Sequence, residues 1–221
     1  MIQVDDLALD APDGRPLQEG LHLRLERGEA LLLLGPGGCG KSQLLRVLAG
    51  TVPPRAGRVR VAGIQVWPGE GALALAGRVR AGFVFAQGGL LSNQSLRGNV
   101  ELPLRFAGAS PAEARARAEA ALERFGLAPV AGLRPHAVSA GQRKLANVAR
   151  VEAFGPELVL VDDPLEGVEA ADHGRVAGWL RDWIQDAAHT VVVALEEPGA
   201  FGDLTARRLH LSPLSPAEEP R

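Results

Sequence analysis

Ala30-Leu31-Leu32-Leu33-Leu34-Gly35-Pro36-Gly37-Gly38-Cys39-Gly40-Lys41-Ser42 is the stretch on which the reading of this chain turns. The unbroken apolar run Ala30 to Leu34 predicts a strand buried on both faces. After the glycines, Leu44, Leu45 and Leu48 fall at helical spacing, with Gly50 as the stop, so Ser42 to Ala49 predicts a helix. Strand, glycine-rich loop and helix in that order match the P-loop pattern. Glycines let successive backbone N–H groups turn toward a phosphate, and the helix N-terminus adds its positive dipole. Lys41 then reaches the β and γ phosphates and Ser42 offers its hydroxyl to Mg²⁺. The candidate nucleotide-binding set is therefore Gly35, Pro36, Gly37, Gly38, Cys39, Gly40, Lys41 and Ser42, with Gln43 beside them. Cys39 is either a small filler of the loop or a thiol activated by the helix N-terminus. A plain turn with an incidental lysine is the bland alternative. The composition argues against it, because of 24 basic residues only Lys41 and Lys144 are lysine.

Outward from this stretch, Leu21 to Leu25 alternates as a half-buried strand, Arg58 to Val66 holds short β-like pieces, and Gly82 to Phe85 predicts another strand. From Ser110 the chain turns to Ala, Glu and Arg. Ser110-Pro111-Ala112-Glu113 predicts a capped helix start running to about Phe125, and Ser139-Ala140-Gly141-Gln142 predicts a second. Leu158 to Val161 and Thr190 to Leu195 read as buried strands, with a helix from about Ala171 to Ala187 between them, which implies a parallel core. The tail from Leu211 is proline-rich and polar and predicts no element.

With 221 residues, 46% hydrophobic and a net charge of -2, the chain can bury a core but carries no basic footprint for nucleic acid, so none is expected as a partner. Its apolar runs, as at Ala30 to Leu34, are far short of the roughly 20 residues that cross a bilayer, and Met1 to Asp6 lacks a signal-peptide pattern. A single cysteine excludes an internal disulfide and fits a reducing cytoplasm.

A P-loop needs a carboxylate for its metal, and Leu158-Val159-Leu160-Val161-Asp162-Asp163-Pro164 supplies one at a strand end. Asp162 is the candidate Mg²⁺ ligand, and Asp163 is the candidate base toward an attacking water. With these motifs in order, the chain resembles the nucleotide-binding subunit of ATP-binding cassette (ABC) transporters. Val138-Ser139-Ala140-Gly141-Gln142 is similar to the family's LSGGQ signature, Gln87 to its Q-loop glutamine, and Gly167-Val168-Glu169 stands where its D-loop does. The resemblance implies an α/β fold: a P-loop NTPase core with a parallel sheet, an N-terminal antiparallel β layer and an inserted helical subdomain. It implies one cassette over 1–221, with 1–87 and 156–212 as β layer and core, 88–155 as helical subdomain and 213–221 as a flexible tail. Ser139, Gly141 and Gln142 would then meet the γ-phosphate of a nucleotide held by a second cassette in a head-to-tail dimer. Gln87 would touch the metal and report to transmembrane permease subunits. The expected location is cytoplasmic, peripheral on the inner face of the cell membrane.

The departures are specific. Asp163 stands where the family has glutamate, so a base there falls short by ~1.5 Å or needs a bridging water, a misplacement that can cost on the order of a hundredfold. Glu196 stands at the switch-histidine position; a carboxylate cannot donate as histidine does and repels the nucleotide unless protonated, turned away or metal-bridged. As a substitute base it belongs with Asp163 and Gln87 among the catalytic candidates. The family stacks adenine on an N-terminal aromatic, and here none precedes Trp67, leaving Pro12 or a neighbouring aliphatic. Phe85 to Arg105 is similar to the lipid-trafficking, Mla-type branch, which makes Leu90, Leu91 and Leu102-Pro103-Leu104 candidates for contact with a permease helix. Three functions follow as expectations: an ATPase driving a lipid or other hydrophobic substrate through a separate permease, a weakly hydrolysing cassette in a heterodimer, and a nucleotide-gated module without transport. A guanine reader of the Asn-Lys-x-Asp type is ruled out by the two lysine positions.

Overall fold

The computed structural model describes residues 1–87 and 89–214. Among these residues, β1 (Ile2–Asp10), β2 (Pro16–Leu25), β4 (Ala56–Val61) and β5 (Ile64–Trp67) form an antiparallel sheet in the order β2-β1-β4-β5. A second sheet runs β6-β7-β8-β3-β9, from β3 (Ala30–Leu34), β6 (Ala81–Val84), β7 (Leu158–Asp162), β8 (Thr190–Leu195) and β9 (Arg207–His210). All of its pairs are parallel. Helix α1 (Lys41–Leu48) packs on both β1 and β7–β8, between the two sheets. A single-turn α2 (Ala72–Leu75) follows β5. On the other face of the parallel sheet lie α3 (Leu96–Phe106), α4 (Pro111–Arg124), α5 (Ala140–Phe154) and α6 (Ala170–Gln185).

Apart from Asp162 and Thr190 at their ends, the central strands are apolar because each faces two cores. Leu31, Leu33, Leu158, Leu160 and Val192 point toward α1 and the antiparallel sheet, whereas Leu32, Leu34, Val159, Val161, Val191 and Val193 point toward α3 to α6. The side-chain period of two divides every strand this way. Helix α4 begins with Pro111 at its first position and Ser110 Oγ accepting from the Glu113 N–H; the Glu113 carboxylate pairs with Arg117. Helix α5 carries a complete capping box, Ser139 with Gln142, and stops at Gly155 in the left-handed region.

Several boundaries differ from expectation. The strand from Gly82 ends at Val84, not Phe85, because the Phe85 carbonyl is taken by a side chain from α5. Helix α6 ends at Gln185, with Asp186 already extended. Strand β1 has no clean alternation, since Asp5-Asp6 interrupts it at an irregular register, where Asp6 has φ 49°. Helix α3 carries Pro103 within it and Gly98 near its start, residues that mask helical signal. Within it Leu104 is buried in the core, so of the proposed Leu102-Pro103-Leu104 contact patch that residue is not available to a partner. Pro213 and Leu214 lie outside any element, and the rest of the expected tail lies outside the described residues. Among the described residues, no helix is long and apolar enough to cross a membrane.

Candidate nucleotide site at the carboxyl edge of the parallel sheet

Parallel pairing brings four strand ends to one edge, the place where open α/β sheets bind ligands. Beyond β3 lies the glycine loop, beyond β6 Gln87, at the end of β7 Asp162 and Asp163, and beyond β8 Glu196. The pairs Leu34 with Leu195, Val161 with Val193 and Val84 with Val161 fix these ends side by side.

The loop's glycines serve different purposes. A Cβ on Gly35 would stand 2.2 Å from the Leu211 carbonyl oxygen, so the floor of the loop is closed against the chain after β9. At Gly38, with φ 75°, a Cβ would meet nothing within 4 Å, so the mouth is open. Gly40, at φ 104°, is the N-cap of α1 and offers no side chain, which leaves the first N–H groups of the helix without a capping side chain. Lys41 Nζ donates to the carbonyls of Gly35 at 2.6 Å and Pro36 at 2.9 Å, which holds the ammonium across the loop. Cys39 is fully buried in the core between the sheets, which fits the filler reading, and its Sγ lies 3.8 Å from the Lys41 ammonium. Gln18, unmarked by the sequence reading, donates to the carbonyls of Cys39 and Ser212 and anchors the loop from β2.

Ser42 Oγ donates to Asp162 Oδ1 at 2.9 Å. Burial raises the Asp162 pKa; the Ser42 hydrogen bond and the charges of Lys144 and Arg46 oppose that rise, and Asp163 adds to it. A hydroxyl and a carboxylate side by side are the hard oxygen donors Mg²⁺ takes, and Mg²⁺ completes its shell with water and substrate phosphate rather than a protein cage. These residues fit the ion.

Asp163 is half-buried, with φ 39°, a left-handed conformation that Asp tolerates better than most residues, and its N–H donates to the Ala194 carbonyl. Glu196 is exposed, with Oε1 3.0 Å from where a Cβ on Gly37 would lie, so its carboxylate stands over the loop. Gln87 is exposed just past β6. Ser139 and Gln142 cap α5 at the surface, and Gly141 presses on the segment 167–169, where a Cβ would come within 2.8 Å of the Gly167 carbonyl oxygen. Pro12, Arg15 and Leu17 line a cavity of about 190 Å³ that opens beside Lys41 and Gln43.

One resident of this edge is absent from the candidate set. Lys144 is only 1% exposed, and its ammonium donates to the carbonyls of Phe85 at 2.7 Å, Ala86 at 2.9 Å and Asp162 at 3.0 Å. Burial lowers its pKa to about 8 against the opposing charges of Asp163, Glu166 and Asp162. The signal was its rarity, as the only lysine besides Lys41.

The family model of the ABC transporter matches residues 18–166, which takes in the glycine loop, Gln87, Ser139 to Gln142 and Asp162–Asp163. The chain belongs to the ABC transporter family. An uncharacterized ABC transporter ATP-binding protein of Mycobacterium tuberculosis is 35% identical over 99% of this chain and 68% of its own length. The methionine import ATP-binding protein MetN of Caulobacter vibrioides is 33% identical over 85% of this chain and 56% of its own. The macrolide export ATP-binding/permease protein MacB of Marinobacter nauticus is 32% identical, but this chain spans only 31% of that relative's length. Among solved structures, the ATP-binding cassette MJ0796, dimeric and bound to ADP and Pi, superposes with a TM-score of 0.86 at 25% identity over 97% of both chains. As an ABC cassette the chain is an ATP-binding component, of a kind that dimerises and works with membrane permeases.

Proposed function

We propose that this cassette binds ATP and Mg²⁺ at the carboxyl edge of its parallel sheet and couples slow hydrolysis to a separate membrane permease, working as a dimer at the cytoplasmic face. The observation that carries this is the Ser42 to Asp162 hydrogen bond of 2.9 Å beneath an open glycine loop, which unites two motifs 120 residues apart. Lys41 gives charge to the β and γ phosphates, and the uncapped N–H groups of α1 take phosphate oxygens. Ser42 and Asp162 would hold Mg²⁺, with Gln87 beside them, and the ion would supply positive charge that neutralises the phosphates. Asp163 accepts a proton from the attacking water at the longer reach set by its short side chain. Ser139 contributes to a second cassette's nucleotide: capping α5 uses an acceptor lone pair of its hydroxyl, and the hydroxyl hydrogen can still be given to a phosphate oxygen. The base sits against Pro12 and Leu17 in the small cavity beside Gln43, without an aromatic platform.

For the permease, a groove of about 790 Å³ lies beside the strand leading to Gln87, lined by Phe83, Phe85, Pro103, Phe106 and Arg150. Phe106 is 84% exposed there, and Leu91, outside that lining, is exposed as well, which suits an amphipathic helix of the partner. The cargo reading, lipid or another hydrophobic substrate, rests on the segment from Phe85 to Arg105 alone; the relatives' names speak of macrolide export and methionine import.

A second reading is favoured by Glu196. Its carboxylate over Gly37 adds negative charge where the γ-phosphate belongs, so this site would hydrolyse poorly while Ser139 and Gly141 complete the site of a different partner cassette. Sizing the purified Asp163→Asn chain with and without MgATP separates the readings. A dimer formed only with ATP supports self-pairing; a chain saturated with ATP yet monomeric supports the heterodimer; a chain that binds no ATP overturns both.

A further inference from the structure

Beyond Val84 and Val161, the last residues at which β6 and β7 pair, the two strands part: β6 leaves for Gln87, while β7 continues to Asp162. The Lys144 ammonium stands in that fork. Its three donors meet two carbonyls on the β6 side, Phe85 and Ala86, and one on the β7 side, Asp162. Three N–H donors require the protonated amine, and a side chain with fewer donors leaves a carbonyl of the fork unmatched. Taking a charge out of water costs several kcal/mol unless hydrogen bonds compensate, so a lysine here, in a chain whose basic residues are arginine everywhere else but at Lys41, has a positional reason. Arginine offers its charge as a broad planar fork, whereas the ammonium is a compact point with three donors, the shape this junction needs.

Lys144 also belongs to α5, five residues past the capping Ser139. From the same helix, Arg150 donates to the Gly89 carbonyl at 2.8 Å and to Asn147 Oδ1 at 2.9 Å. The turn that carries Gln87 is thus held by α5 on both sides, at Phe85–Ala86 and at Gly89.

We infer that Lys144 is a positioning residue that fixes the spacing between Gln87 and Asp162, and with it the oxygen shell offered to Mg²⁺, and ties that spacing to the start of α5. The inference rests on the proposed MgATP reading of this site. Groups that orient metal ligands from behind typically carry a 10- to 100-fold effect on metal affinity or activity when removed.

The test compares ATP affinity in EDTA with affinity at graded Mg²⁺ for wild type, Lys144→Met and Lys144→Gln. Lys144→Met keeps the length and loses all donors. Its ATP affinity in EDTA should stay within about twofold of wild type, while the Mg²⁺ concentration for half effect rises about tenfold or more. Lys144→Gln, with two donors for three carbonyls, should fall between, with a rise of about threefold. Equal losses in EDTA and in Mg²⁺ would make Lys144 a fold residue only, and an unchanged Mg²⁺ dependence would remove the inference outright. Should Lys144→Met not fold, the glutamine variant decides: wild-type Mg²⁺ dependence overturns the proposal. A wild-type chain that binds no ATP even in EDTA overturns the MgATP reading itself, an outcome distinct from any change confined to Mg²⁺.

Discussion

The phosphate side of the site and its carboxylate side are built in opposite ways. The phosphate side is one continuous stretch, Gly35 to Ser42, in which loop, helix start and lysine are neighbours in the chain. The carboxylate side gathers Gln87, Asp162, Asp163 and Glu196 from three strands, and a lysine from α5 holds two of those strands at their parting. Local construction preserves the pattern of a P-loop intact, down to a floor glycine that admits no side chain. Distributed construction tolerates change, and it is here that aspartate and glutamate stand in place of the residues the family resemblance implies. On the proposed reading, binding and hydrolysis can therefore be altered independently.

The strongest way to break the comparison is at the floor. Gly35→Ala places a Cβ against the Leu211 carbonyl oxygen, a backbone atom that cannot yield cheaply. The expected cost is about 3 kcal/mol, a fall in Tm of roughly 6–12 °C by calorimetry. Gly38→Ala, in open space but left-handed, should cost only about 1 kcal/mol. Equal melting temperatures for the two variants would contradict the division into floor and mouth. Next, Lys41→Ala should weaken ATP binding by about 2–3 kcal/mol, roughly 30- to 150-fold by titration, as a charge-assisted contact is lost.

On the carboxylate side, Asp163→Glu restores the missing methylene. Turnover measured by phosphate release should rise about tenfold, less than the hundredfold that ideal placement could return, because the left-handed backbone at this position suits aspartate better than glutamate. No change would mean that reach is not what limits the step. The smallest expected effect is at Glu196→Gln, where removing a like charge near the phosphates should tighten ATP binding by about threefold at low salt, fading as ionic strength rises. Unaltered affinity at low salt would place the carboxylate away from the nucleotide.

Legibility followed the same divide. The buried strands β3, β7 and β8, the loop and the caps of α4 and α5 were plain because each is signalled by residues adjacent in the chain. Strand β1 and helix α3 were not, since a pair of aspartates and an internal proline interrupt their periods. Gln87, Asp162 and Asp163 could be named from motif order, but the fork between their strands could not: Lys144 contacts residues 58 and 59 positions away, and nothing local marks it as buried. Leu104 shows the reverse error, an apolar residue in a candidate contact patch that the helix turns into the core.

The measurement that bears most directly on this account is ATP affinity and steady-state ATP turnover of the purified chain, taken side by side for wild type, Lys41→Ala and Asp163→Asn. The account predicts binding that depends on Lys41, slow turnover above the Lys41→Ala blank, and loss of turnover with retained binding in Asp163→Asn. Turnover indifferent to Asp163→Asn, or ATP binding indifferent to Lys41→Ala, would contradict it.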